Sequence, residues 1–137
     1  MSATGIPYIM VLPGVGQAVG AVRRSFRDLL GPYHPALDDV LLCVSELMAN
    51  ALRHTASSAD GGRIRVEAAL SVEEIKVSVT DGGGARTEPR VVGACGESGR
   101  GLTLVDDIAT EWGFDRHDPG TVVWFVVKFA GLADAPR

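Results

Sequence analysis

The pattern that most constrains this chain is a helical one between positions 35 and 54, opened by Pro35. Val40, Leu41, Val44, Leu47, Met48, Ala51 and Leu52 fall within about 140° of arc if each residue turns the chain by roughly 100°. A helix with one apolar side buries that side in a core, and the rest of the chain has to supply the core. With 137 residues in total, against roughly 100–200 for an ordinary domain, there is room for one core only. A single domain over 1–137 is therefore expected, with any further function supplied by partners.

Charge and hydropathy remove several function classes. The chain carries 13 Lys+Arg against 17 Asp+Glu, a formal net charge of -4, and its only lysines are Lys76 and Lys128. Nucleic-acid binding draws on clustered positive charge, so direct contact with DNA or RNA is not expected. The longest apolar run, 122–127, is far short of the roughly 18 residues that span a bilayer, and no export signal opens the chain. A cytoplasmic protein without a membrane role is the expectation. Cys43 and Cys95 stand in neither a C-x-x-C nor a zinc-ligand spacing, so both are expected as reduced thiols.

The other elements follow from periodicity and turn residues. Residues 8–12 read as an edge strand ending at Pro13-Gly14, and 15–30 as a helix whose apolar face is Val15, Val19, Val22, Phe26, Leu29 and Leu30, stopped by Gly31-Pro32. Apolar and polar residues alternate over 63–70 and 75–79, a hairpin joined through 71–74. Residues 81–99 hold six glycines and Pro89 without periodicity and read as a long mobile loop of the kind that carries function. A helix over 102–110, a strand over 112–116, a turn at 118–120 and a strand over 121–129 complete the fold, with a frayed tail from about 130.

Three stretches have the chemistry of a nucleotide site. Glu46, Asn50 and His54 recur at i, i+4 and i+8 as one polar stripe bordering the apolar face. A carboxylate can serve as general base, and an amide oxygen can take one position on a Mg²⁺ otherwise held by phosphates and water. The solvated side of any amphipathic helix presents the same stripe. Asp81-Gly82-Gly83-Gly84 follows a strand; glycines there admit a flat ligand, and the carboxylate accepts from a donor such as the adenine amine, although an ordinary strand-end turn has the same composition. Residues 97–102 lead into a helix whose free N–H groups favour a phosphate. Neither lysine follows a glycine, which excludes a Walker P-loop. Gly99-Arg100-Gly101 lacks the preceding strand and third glycine of a Rossmann fingerprint.

In order, Glu46-x-x-x-Asn50-Ala51-x-x-His54, Asp81-x-Gly83, Gly99-x-Gly101-Leu102 and the closing Gly120-Thr121 strand resemble the asparagine box and two glycine boxes of the GHKL ATPase superfamily. The local texture of 45–54 is similar to the small bacterial anti-sigma-factor serine kinases. The resemblance covers nearly the whole chain. It implies an α+β fold, a two-layer α/β sandwich with a mixed, mostly antiparallel sheet and about three helices on one face. It also implies ATP and Mg²⁺ as cofactors, with Glu46 as catalytic base and Asn50 as the Mg²⁺ ligand. Asp81 would read the adenine amine, Gly83 give room for the base, and Gly99 and Gly101 let a lid close beside Leu102. Thr121 would support the adenine near Asp81. Arg100 is placed to reach a phosphate, or else to stand solvated at the helix start, and His54 to fill a structural or phosphate-side polar role.

The sequence departs from the family pattern at Ala85, where the first glycine box often continues D-x-G-x-G, and in the shortness of the 84–98 segment. The implied function is an ATP-binding anti-sigma-type regulator that phosphorylates a serine of an antagonist protein. The alternative is a nucleotide-binding regulator that sequesters a partner without phosphotransfer. A sigma factor or an anti-sigma-factor antagonist is the implied partner, and the basic group Arg23, Arg24 and Arg27 offers a docking place for an acidic one. No transducer domain or phosphoacceptor helix pair is found in the 137 residues, which disfavours a gyrase-type ATPase and a sensor kinase. The 8–12 edge strand leaves a homodimer open.

Overall fold

A computed structural model describes residues 6–54, 62–81, 100–116 and 121–129. Its elements are β1 (Ile6–Pro13), α1 (Gln17–Leu30), α2 (Leu37–His54), β2 (Arg63–Leu70), β3 (Glu74–Asp81), α3 (Arg100–Ile108), β4 (Glu111–Arg116) and β5 (Thr121–Lys128). The strands form one sheet in the order β1-β2-β3-β5-β4, and every described pairing is antiparallel. The α+β architecture is as expected, with a sheet that is antiparallel throughout its described strands.

Alternation decides the layers. In β2 and β3 the residues Ile64, Val66, Ala68, Ile75, Val77 and Val79 are buried, while Arg65 and Lys76 between them face outward. The buried set joins Val123, Phe125 and Val127 of β5 and the apolar faces of all three helices in one continuous core. α2 is the centre of the helical layer, packed against α1 and α3 and lying over β3 and β5. The seven residues that defined its apolar face in the sequence are all buried except Leu52, which packs against the core part-exposed.

Element ends differ from the periodic reading for local reasons. Val15 lies in the turn after β1, where its N–H donates to Pro13 O at 2.8 Å. α2 starts two residues after Pro35, and the His34 ring takes the Ala36 N–H at 3.0 Å ahead of it. α3 stops at Ile108 because the Thr110 N–H donates to Val126 O at 2.8 Å, drawing that residue to the sheet. α1 ends at Gly31 with φ 87° and ψ 159°, a conformation that costs a residue with a side chain about 1–3 kcal/mol. Among the described residues no helix is long and apolar enough to cross a membrane.

Candidate functional site

Burying a polar group costs free energy unless a partner or a ligand meets it, so buried polar residues mark places where a fold does something besides pack. Among the described residues three polar or charged residues are buried: Asn50, Asp81 and Thr121, at 6%, 8% and 3% exposure. All three belong to the motifs singled out in the sequence.

Asp81 ends β3 on the helix-facing side, in alternation with Val79 and Val77. Thr121 opens β5 on the same side. Extending the β3–β5 register, in which Thr80 faces Val122, sets the two residues directly opposite each other. The Thr121 backbone N–H donates to Asp81 Oδ1 at 3.3 Å. The carboxylate is thus held by main chain from the neighbouring strand at the end of the central pair. The family resemblance had implied that Thr121 lies near Asp81, and the register sets the two residues opposite each other.

On α2, Glu46 is half-buried and Asn50 buried one turn later, so the stripe runs from the solvent border into the core. Neither amide atom of Asn50 is both buried and unpartnered. His54 is the last helical residue. Glu46 also acts on Cys43, one turn before it. Burial pushes that thiol up to about 12, and the carboxylates of Asp39 and Glu46 add to the rise. Cys43 is free and buried, a protonated thiol at neutral pH.

Arg100 and Gly101 form the first turn of α3, and Leu102, 1% exposed, anchors that turn in the core beside α2. Gly83, Gly99, Ala85 and the other positions of 82–99 lie outside the described residues, as do Cys95 and the 118–120 turn.

One contact escaped pattern reading. Arg23 Nη1 reaches from α1 to α2 and donates to Ser45 Oγ at 2.6 Å and to Leu41 O at 3.2 Å. Ser45 Oγ also donates to Leu41 O at 2.6 Å. Arg23 is half-buried, whereas Arg24 and Arg27 are exposed, so the basic group on α1 divides into one bracing arginine and two on the surface. The brace closes on the residue next to Glu46.

The family model for the histidine kinase-like ATPase domain matches residues 15–127, a span that takes in Glu46, Asn50, Asp81 and Thr121. The chain belongs to this family. The resemblance drawn from the motif order holds at that level. Similarity to individual members of the histidine kinase-like ATPase family is lower. The serine-protein kinase RsbW of Bacillus velezensis is 26% identical over 125 residues, covering 80% of this chain and 78% of that protein. The RsbU and RsbW domains of a Mycobacterium tuberculosis protein share the fold at a TM-score of 0.64 and 22% identity, over 89% of this chain and 32% of that one. The histidine kinase domain of the blue-light activated histidine kinase from Erythrobacter litoralis follows at 0.52 and 21%, over 82% and 59%. This chain therefore spans less than two thirds of either solved chain.

Proposed function

We propose that this histidine kinase-like ATPase domain is an ATP- and Mg²⁺-dependent anti-sigma-type regulator, and that it phosphorylates a serine of an anti-sigma-factor antagonist in the cytoplasm. The observation that carries the reading is the set of buried polar residues: the three among the described residues fall on the asparagine box, the first glycine box and the closing strand. The similarity to a serine-protein kinase supports a serine as the acceptor.

The residues fit an adenine nucleotide. An ionised carboxylate only accepts hydrogen bonds, so Asp81, steadied by the Thr121 N–H, selects a base that presents a donor amine. Gly83 keeps the role that the resemblance gives it, room for the base. Asn50 would offer its amide oxygen to a Mg²⁺, a hard ion that suits oxygen ligands. Bound Mg²⁺ neutralises charge on the phosphates. Gly99, Arg100, Gly101 and Leu102 are the residues that the family resemblance assigns to the phosphates, and the start of α3 is where the helix dipole favours phosphate. His54 adds a polar group at the end of α2. Glu46 takes the proton of the substrate serine hydroxyl as its oxygen bonds to the γ-phosphorus; the bond from that phosphorus to the bridging oxygen breaks and ADP leaves. Positioning and charge stabilisation supply most of the rate in such transfers.

Incubating the protein with labelled ATP, Mg²⁺ and candidate antagonist proteins tests this. Label moves to a serine of one candidate with wild type. Glu46→Ala cuts transfer by at least about a hundredfold while retaining nucleotide, and Asn50→Ala loses Mg²⁺-dependent binding. Nucleotide binding without transfer to any antagonist selects the sequestering regulator instead, and no ATP binding overturns both.

A further inference from the structure

Glu46 is half-buried on α2, so the core does not enclose it as it encloses Asn50 one turn later. A side-chain tip stands roughly 5–6 Å from a helix axis, and a roll of α2 by about 10° therefore carries the Glu46 carboxylate by about 1 Å. A misplacement of about 1 Å at a reacting group costs on the order of a hundredfold in rate. Apolar packing has no direction and resists such a roll weakly, whereas hydrogen bonds fix distance and angle together.

Directed contacts reach the turn ahead of Glu46 from α1. Val22 and Phe26, both 0% exposed, anchor that helix in the core on either side of Arg23. Arg23 Nη1 donates to Ser45 Oγ at 2.6 Å and to Leu41 O at 3.2 Å, and Ser45 Oγ donates to the same carbonyl at 2.6 Å. Leu41 O is also the acceptor that an α-helix assigns to the Ser45 N–H. Three donors thus converge on an oxygen with two lone pairs, and a serine bonded back to its i−4 carbonyl bends a helix. The bend and the roll of α2 are set together at the 41–45 turn, one residue before Glu46. Among the described residues the Arg23 guanidinium makes no ion pair, so the contact is one of geometry rather than of charge balance.

We infer, resting on the function proposed for Glu46, that Arg23 is a positioning residue for phosphotransfer: through Ser45 and Leu41 O it holds α2 in the roll that brings the Glu46 carboxylate to the acceptor hydroxyl. Groups that carry chemistry keep their geometry when neighbouring hydrogen bonds lock them to within about 0.5 Å. Arg23 supplies that lock from outside the site, its guanidinium engaged with α2 and not with nucleotide or substrate.

The test uses the full chain, γ-labelled ATP with Mg²⁺, and the antagonist protein that wild type labels. Arg23→Ala should lower kcat about ten- to a hundredfold with KM for ATP unchanged. Ser45→Ala should act in the same direction, and Arg23→Lys should recover part of the loss. In a Glu46→Ala background no carboxylate remains to be placed, so Arg23→Ala should lower the residual transfer no further. Leu29→Ala, which thins the packing of the same helix against the core, is the control: the unfolding midpoint falls and kcat stays at the wild-type value. Wild-type kcat in Arg23→Ala, an equal fold-loss with and without Glu46, or a loss in Leu29→Ala that matches Arg23→Ala overturns this role for Arg23 and leaves the kinase reading standing. A wild type that binds ATP and labels no antagonist overturns the kinase reading and this role with it.

Discussion

His34 is kept neutral by its surroundings. Its Nδ1 accepts the Ala36 N–H at 3.0 Å, so the ring proton sits on Nε2, which is buried without a partner. The ring meets Phe129 edge to face, with centroids 4.5 Å apart. Burial lowers its pKa from the ordinary 6.5. Between the lowered and the ordinary value the unfolded chain holds the extra proton, so this contribution to stability is complete above about 6.5 and is lost as pH falls through the lowered value. Unfolding midpoints measured from pH 7.5 to 5 should therefore fall further for wild type than for His34→Asn, which keeps an acceptor for Ala36 and does not titrate. Equal slopes would show that the ring contributes nothing. Asp81 was legible in the sequence because it directly continues an alternating strand and precedes a run of glycines. The environment of His34 was not, since the aromatic ring packed against it comes from a residue distant in the chain.

At the scale of elements, the Arg23 brace ties α1 to the turn of α2 that precedes Glu46. Arg23→Ala removes two donor contacts to a half-buried pair of acceptors, a loss of about 1–2 kcal/mol once solvent screening is allowed for. Arg23→Lys should recover part of it, because an ammonium can donate to one acceptor but lacks the planar fork. Denaturant unfolding of the three proteins checks the order; a wild-type midpoint in Arg23→Ala would mean that the contact carries no stability. Periodicity made α2 plain, because seven apolar residues on one arc match a buried helix face and no strand. It could not separate Arg23 from Arg24 and Arg27, since three arginines near one helix end look alike until the facing helix is in place. The helix ends at Ile108 and Leu37 were hidden for a related reason: the groups that stop or start them, Val126 O and the His34 ring, lie outside the helices themselves.

For the whole molecule, the β2–β3 hairpin was readable from alternation, whereas the order β1-β2-β3-β5-β4 was not. Sheet order depends on which edges meet under a shared helical layer, and one sequence does not carry that directly. The result is a single core shared by both layers, so the described fold should unfold in one cooperative step. ATP with Mg²⁺ should raise the unfolding midpoint, by an amount equivalent to about 2.7 kcal/mol at a hundred times Kd. Asn50→Ala should lose the Mg²⁺-dependent part of that rise, and calorimetry showing no shift with wild type would contradict nucleotide binding.

The chain's two tryptophans stand on opposite sides of the sheet. Trp112, on the helix-facing side, donates its indole N–H to Asp106 of α3 at 2.8 Å. Trp124, on the other side, lies under Lys76 Nζ at 4.6 Å, against a glycine at 113 where a Cβ would come within 2.8 Å of the ring. The molecule thereby carries two native fluorophores with separate duties. Displacement of α3 should change the emission of Trp112, whose indole partner it carries, and a Trp124→Phe variant isolates that signal.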